Sequence, residues 1–87
     1  MEVDVIAQYN RDGSIIPMRV RFEDEDGLTQ TYTIHGYREV PHSTEKLADG
    51  TFVTEGTMVW ECRIVVLGVE KVVRLYWSPG RVWRMRA

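Results

Sequence analysis

The chain has 87 residues, a mass of 10.1 kDa and a formal net charge of −2. A chain of this length forms one small domain, predicted over residues 1–87, whose thin core depends on three Trp, four Tyr and two Phe. The single cysteine excludes an intrachain disulfide, and with no apolar N-terminal run it favours a cytoplasmic location over secretion. The longest apolar run, residues 64–69, is too short to span a membrane, so no membrane partner is expected.

The charge is distributed unevenly along the chain. Residues 1–62 carry twelve acidic and five basic side chains, whereas residues 63–87 carry six basic side chains and one acidic. Such a split indicates either an anionic partner for the C-terminal third or two parts that attract each other within the fold. The sequence favours neither explanation over the other.

Alternation of apolar and polar residues with a period of two predicts β-strands along most of the chain. Asp12-Gly13 predicts a two-residue type I′ turn, which places Val5 opposite Val20 and leaves every pair on that face apolar. The same register places Pro17 opposite Gln8. Because proline lacks an N–H, this position requires a free strand edge or a bulge.

A second turn is predicted at Glu25-Asp26-Gly27, with the glycine in the left-handed conformation. The resulting three-residue loop pairs Val20 with Tyr32 and keeps the apolar face continuous. The four consecutive acids at the tip, residues 23–26, are interpreted as a solvated turn. A calcium site is disfavoured because no EF-hand spacing is present.

The alternating pattern breaks between Gly36 and Gly56. Within this segment, HSTEKLADG predicts one helical turn, capped by Ser43 or Thr44 and ending near Gly50. It is the only helical element expected, and we expect it to plug one end of a barrel.

The strong apolar pattern resumes in the C-terminal part of the chain. Gly68-Val69 predicts a type II′ turn that pairs Trp60 with Trp77 and Cys62 with Leu75 on a core face. If the pairing slipped by one residue, Cys62 would lie opposite a charged side chain. The hydrophobic pattern therefore selects the register in which Cys62 lies opposite Leu75.

The length of the last turn, in the segment WSPGRVW, is inferred from which side chains each loop length would place on the core face. A tight Pro79-Gly80 loop would bury Arg84 and Arg86 without partners, which is costly. A loop longer by one residue places Trp83 opposite Trp77 and completes an apolar inner face. The tryptophans are therefore predicted as core residues that are not free to stack on nucleic-acid bases.

This register directs four arginines and a tyrosine to the outer face of the last three strands. The predicted binding residues are Arg63, Arg74, Tyr76, Arg84 and Arg86. Arg74 is expected opposite both Arg63 and Arg86. Such a row with Tyr76 beside it is typical of a surface that binds phosphates or stacks on a single-stranded base. The alternative is that acidic residues of the chain neutralise the row or that water solvates it. This alternative is favoured, because a pI near 5.6 is far from that of most nucleic-acid-binding domains.

Four aliphatic residues share the same outer face, which is more than a bare surface needs. They are Val59, Val65, Leu67 and Val72, with Val65 and Val72 paired across the hairpin. Either the sheet curls so that some of them enter the core, or they form a contact with another copy of the chain. Homodimerisation is therefore one of two open interpretations.

No pattern typical of catalysis is present, so the protein is not expected to be an enzyme. Cys62, His35 and His42 are the only combination that suggests a three-ligand metal site. Cys62 lies at the centre of the predicted core face, where cysteine usually acts as a small inert hydrophobe. No metal and no cofactor are therefore predicted.

The following segments occur in this order and cover most of the chain: a VIAQY strand, DG followed by IIPMRVRF, the KLADG turn, MVWECRIVVLGVEKVVRLYW and a closing VWRM. This combination resembles a family of short, uncharacterised all-β proteins from Firmicutes, of the Clostridia type, some of them near mobile elements. The segment YWSPGRVW is shorter and richer in arginine than in that family. The resemblance implies no activity, no substrate and no catalytic residue.

Together these patterns predict an all-β fold, a small antiparallel six-stranded meander that closes into an SH3-like barrel with one short helical turn. The predicted function is a non-catalytic binding or protein-interaction module whose partner is another protein or a second copy of the chain. The alternative is nucleic-acid or polyanion binding through the C-terminal arginine-rich face.

Overall fold

The computed structural model describes residues 1–48, 50 and 52–87, and all regular elements in these residues are β-strands. In chain order they are β1 (Glu2–Tyr9), β2 (Ile15–Glu23), β3 (Thr29–Thr33), β4 (Gly36–Glu39), β5 (Glu45–Lys46), β6 (Phe52–Val53), β7 (Met58–Val66), β8 (Val69–Trp77) and β9 (Trp83–Arg86). The all-β prediction is confirmed. The structure has three more strands than predicted, because β4, β5 and β6 form where the alternating pattern breaks.

Seven strands form one antiparallel sheet in the order β3-β2-β1-β9-β8-β7-β4, which curls into a half-barrel, and β5 and β6 form a separate hairpin. The strands at the two ends of this order, β3 and β4, are only two residues apart in the chain. Ile34 N–H donates to Met18 O of β2 at 3.0 Å, and His35 N–H donates to Arg63 O of β7 at 2.9 Å. The chain therefore changes partner from β2 to β7 at this point and brings the sheet ends together.

The first hairpin has a longer turn than predicted and a compensating bulge. Asn10 N–H donates to Ser14 O at 2.9 Å, and Gly13 has a φ of +87°, so the loop contains three residues. This shifts the pairs next to the turn by one residue. A bulge between Ile6 and Ala7 restores the predicted register, and Val5 lies opposite Val20. Pro17 lies opposite Ala7, beside this bulge, where its missing N–H is tolerated.

The β2–β3 hairpin confirms its prediction. Asp24 N–H donates to Leu28 O at 2.9 Å, and Gly27 adopts a φ of +77°, which closes the three-residue loop. Val20 pairs with Tyr32 as expected. Turn chemistry alone selected this register, because only glycine adopts the left-handed position without a steric cost.

The β7–β8 hairpin has the predicted faces but a register shifted by two residues. Its turn is Leu67-Gly68 rather than Gly68-Val69, with φ values of +51° and +77°. Trp60 consequently pairs with Leu75, and Cys62 pairs with Val73. Because the side-chain period of a strand is two, a two-residue shift changes every partner and leaves every side chain on its predicted face.

The β8–β9 hairpin confirms the longer loop. Leu75 pairs with Met85, and the rings of Trp77 and Trp83 are 6.4 Å apart. Trp83 also lies 5.3 Å from Trp60 between ring centroids. The indoles therefore form one cluster in the core, with the tilted geometry that aromatic pairs prefer.

The main core fills the concave face of the half-barrel. Its largest fully buried members are Trp60, Ile64 and Leu75, all in β7 and β8. Cys62 and Val73 of the same two strands pack beside them. The other strands of the sheet contribute the buried side chains of Val3, Ile15, Val20, Tyr32, Trp83 and Met85. Strands β7 and β8 therefore form the centre of the core, where the apolar side chains are removed from water most completely.

The predicted helical turn is wrong for the residues that the structure describes. Ser43 and Thr44 precede the β5–β6 hairpin instead of capping a helix, and Asp49 of the predicted turn lies outside the described residues. The hairpin packs Leu47 and Val53 against the outer face of β7 and β8. It covers an apolar part of the sheet that would otherwise be exposed to water, rather than plugging a barrel end.

In the part of the chain that the structure describes, no helix is long and apolar enough to cross a bilayer.

Candidate binding surfaces

A row of charged residues crosses the outer face of β4, β7, β8 and β9. Arg38 lies opposite Glu61, Glu61 opposite Arg74, and Arg74 opposite Arg86. Arg38 Nε lies 3.4 Å from Glu61 Oε1, and Arg74 Nη2 lies 3.6 Å from Glu61 Oε2. The Glu61 carboxylate therefore forms ion pairs with two arginines, and the row as a whole has an excess of positive charge.

Arg63 does not lie opposite Arg74, in contrast to the prediction. The two-residue shift of the β7–β8 register places Arg63 opposite Val72 on one side and Gly36 on the other. The guanidinium group of Arg63 lies over Gly36, where a Cβ atom would come within 2.8 Å of Arg63 Nε. Glycine therefore provides the space in which this arginine crosses the sheet.

Two of the predicted site residues belong to the interior. Val59 and Tyr76 form a second core with Leu47 and Val53 beneath the β5–β6 hairpin. Val59 is therefore not part of a self-association surface, and the ring of Tyr76 is not free to stack on a base. Val59 is therefore a core residue, but the β5–β6 hairpin buries it rather than a curl of the sheet.

The other aliphatic residues of the outer face lie in the open at the tip of the β7–β8 hairpin. Val65, Leu67 and Val72 are exposed. Val69 is exposed as well but lies on the other face of the hairpin, because it pairs with Val66, which packs against the main core. Val65 does not pair with Val72. Val65 lies opposite Glu70, and Val72 lies opposite Arg63, so the two valines are diagonal neighbours. We call Val65, Leu67 and Val72 the tip patch.

Leu67 combines two unfavourable features at the centre of the tip patch. Its side chain is 82% exposed, and its φ of +51° lies in the left-handed region. It is the one non-glycine residue with positive φ in the described part of the chain. Type I′ turns favour Asn, Asp or Gly at this position, so neither burial nor turn chemistry accounts for leucine here.

A groove of about 650 Å³ lies between the β5–β6 hairpin and the loop that joins β8 to β9. Tyr76 and Arg84, two of the predicted binding residues, line it. Phe52, Arg81 and Val82 also line it and were missed by sequence reasoning. The position of Arg81 and Val82 in a loop indicates that they are exposed and available for binding, but nothing in the sequence predicted that Phe52 would lie beside them.

A network of hydroxyl groups holds one end of this groove. The buried Thr57 Oγ1 lies 2.8 Å from Ser78 Oγ and accepts a hydrogen bond from Thr54 N–H at 3.1 Å. His42 donates from Nε2 to Thr57 O. These bonds tie the turn before β7 to the end of β8 and satisfy a buried hydroxyl, as buried polar groups require.

Cys62 and the two histidines do not form a site. Burial, with a smaller contribution from the charge of Glu61, raises the pKa of the Cys62 thiol to about 12. The thiol is therefore neutral and unreactive at physiological pH. His35 follows β3, whereas His42 lies beside Thr57 in the segment before β5. Among the described residues, no three His, Cys, Asp or Glu side chains are grouped to hold a metal.

No protein-family model matches the chain, and neither does any curated protein or solved structure. The resemblance to the Firmicutes family therefore stays a prediction.

Proposed function

We propose that the protein is a non-catalytic, cytoplasmic binding module that associates with a second copy of itself through the tip patch. The observation that carries the proposal is Leu67, an exposed leucine in left-handed conformation. Residues in strained backbone conformations cluster at functional sites, where the strain is part of the function. A partner that buries the leucine side chain would favour leucine here despite the strain.

The charged residues around the tip patch favour binding of a second copy of the chain over binding of a different protein. Arg63 lies opposite Val72, and Glu70 lies opposite Val65, so these four residues form a square on the outer face. The two valines occupy one diagonal of the square, and the basic and the acidic residue occupy the other. In a two-fold symmetric dimer the same surface meets itself. A second copy turned by 180° can place its Glu70 over Arg63 while the valines meet at the centre.

The decisive experiment measures the molar mass across a concentration series by sedimentation equilibrium. We expect the wild type to form dimers and Leu67→Asn to weaken dimerisation by at least about tenfold, because the central apolar contact is lost. Leu28→Asn, which changes another exposed leucine beside a turn, is the matched control and should dimerise like the wild type. A wild type that remains monomeric at millimolar concentration would overturn the proposal.

A charge exchange tests the symmetry of the contact. Arg63→Glu and Glu70→Arg should each weaken dimerisation, because each places like charges across the two-fold axis. The double variant re-forms the pair in reverse and should recover the dimer. Failure of the double variant to recover it, while remaining folded, would contradict the two-fold arrangement.

We also propose that the half-barrel belongs to the SH3-like style of small barrels. The support is the change of partner between β3 and β4, which brings strands from both ends of the sheet order into one continuous segment. This connection brings the two edges of the sheet near each other, as in small barrels, which protect their sheet edges because exposed edges are a liability.

Polyanion binding is the second candidate function, and the pairing of Arg74 with Arg86 favours it. Like charges directly opposite each other destabilise a sheet, and a bound phosphate would relieve the repulsion. Electrophoretic mobility shifts with single-stranded and duplex DNA test it. Binding should weaken steeply as salt rises and should be reduced in Arg74→Gln. No shift at low salt would exclude this candidate.

A further inference from the structure

The groove between the β5–β6 hairpin and the β8–β9 loop has a polar atom at its floor that the fold does not use. Tyr76 is only 6% exposed, yet its hydroxyl makes no hydrogen bond among the residues that the structure describes. No fully enclosed side-chain oxygen in these residues lacks a partner, so the Tyr76 oxygen is in part accessible, and Tyr76 is one of the residues that line the groove. The fold thus buries the ring and presents the hydroxyl to the groove.

We propose that this groove binds a small oxyanion, a carboxylate or a phosphate, that is attached to an apolar group. The hydroxyl of Tyr76 donates a hydrogen bond to the anion, and Arg81 supplies a guanidinium group at the same groove. Hydrogen bonds to ionised acceptors are about twice as strong as neutral ones, which makes this combination suited to an anion.

The charge of the groove supports an anionic ligand. Arg81 and Arg84 line it, and Glu2 is the one acidic residue among the described lining residues. Arg84 lies directly opposite Glu2 in the sheet, so Arg81 supplies the excess positive charge of the groove, in a chain of net charge −2. A locally positive cleft concentrates anions, and the low dielectric constant of its walls strengthens the attraction.

The walls of the groove support an apolar group on the ligand. Phe52 and Val82 both line the groove and are 66% and 58% exposed, which leaves their side chains available for contact. Lys46 Nζ lies 5.3 Å from the centre of the Phe52 ring, a cation–π distance that helps to hold the ring in place. A volume of about 650 Å³ lies within the range of small-molecule sites.

The test is a titration followed by the backbone amide signals of the isotope-labelled protein. The probes are phenyl phosphate, N-acetyl-phenylalanine and the amide of the latter, which lacks the negative charge. We expect saturable shifts in residues 76–84 with at least one of the two anions and none with the amide. The two anions distinguish a phosphate ligand from a carboxylate ligand, and either result supports the site.

Three variants identify the groups that bind. Tyr76→Phe removes only the hydroxyl, and Arg81→Gln removes the guanidinium group. Each should weaken binding of the better anion about tenfold. Arg86→Gln makes the same change in net charge outside the groove and should change the affinity less than twofold. Dispersed indole signals from the three tryptophans verify that each variant is folded.

Two results would overturn the proposal. One is the absence of saturable shifts in residues 76–84 with both anions. The other is equal binding by Tyr76→Phe, Arg81→Gln and Arg86→Gln, which would show that only overall charge matters. The proposal does not depend on self-association, because the tip patch and the groove share no residue.

Discussion

Val59 lies directly opposite Tyr76 on the outer face of β7 and β8, and the two side chains are 2% and 6% exposed. A sheet that covers one face with a half-barrel core normally exposes the other face to water. Here the β5–β6 hairpin covers this part of the outer face and creates a second, smaller core. Tyr76 also lines the candidate groove, so the groove borders this covered region.

The second core predicts a stability effect from a residue far from the main core. Val53 is 1% exposed, so Val53→Ala should lower the free energy of unfolding by roughly 2 kcal/mol, because it removes buried methyl groups and leaves a cavity. Phe52→Ala, at the exposed neighbouring position, should change it by less than about 0.5 kcal/mol. Urea denaturation measures both. Similar effects of the two variants would mean that the hairpin does not form a core.

The strained turn predicts that one substitution increases stability while weakening the proposed dimer. Leu67→Asn should raise the free energy of unfolding of the monomer by about 1 kcal/mol, because asparagine tolerates the left-handed region. Thermal unfolding at low protein concentration measures the change. Leu28→Asn has no positive φ to relieve and should show no gain. A loss of stability in Leu67→Asn would contradict the assigned turn.

The shared carboxylate in the charged row predicts a salt-dependent effect. Glu61→Gln should lower the free energy of unfolding by less than about 1 kcal/mol at low salt, because Arg38 and Arg74 lose their common partner. The difference should vanish near 1 M salt, where the screening length is about 3 Å. Glu25→Gln makes the same charge change at an exposed residue without an ion pair in the described residues and is the control. Equal effects of the two variants would refute the row.

The buried thiol predicts a loss of stability at high pH. The pKa of Cys62 is raised from 9.0 to about 12 in the folded protein, so the unfolded chain loses its thiol proton first. The folded state then binds more protons than the unfolded state between these values, and its stability falls as pH rises from about 9 to 12. Below pH 9 this contribution is constant.

Comparison with Cys62→Ala isolates this contribution, because other titrating groups are common to both proteins. The difference in free energy of unfolding between wild type and variant should shrink by a few kcal/mol as pH rises through this range.

In addition, a thiol reagent at pH 8 should react with the native protein only at the rate of unfolding. Rapid reaction of the native protein would show that the thiol is accessible.

The sequence by itself determined which side of each main strand faces the core. Trp77 and Trp83 face inward, and Arg74 and Arg86 face outward, because period-two alternation and the cost of burying a charge both exclude the opposite arrangement. Glycine at position 27 determined a register outright, because its left-handed conformation has few competitors.

Only the tertiary structure decided the partners and the sites. The turn at Leu67-Gly68 could not be predicted because leucine rarely adopts a left-handed φ, so the β7–β8 register was two residues wrong and Arg63 was assigned the wrong neighbours. The short strands β5 and β6 carry almost no local signal. They form because Leu47 and Val53 gain burial against Val59 and Tyr76, a contact between distant parts of the chain that no local pattern contains.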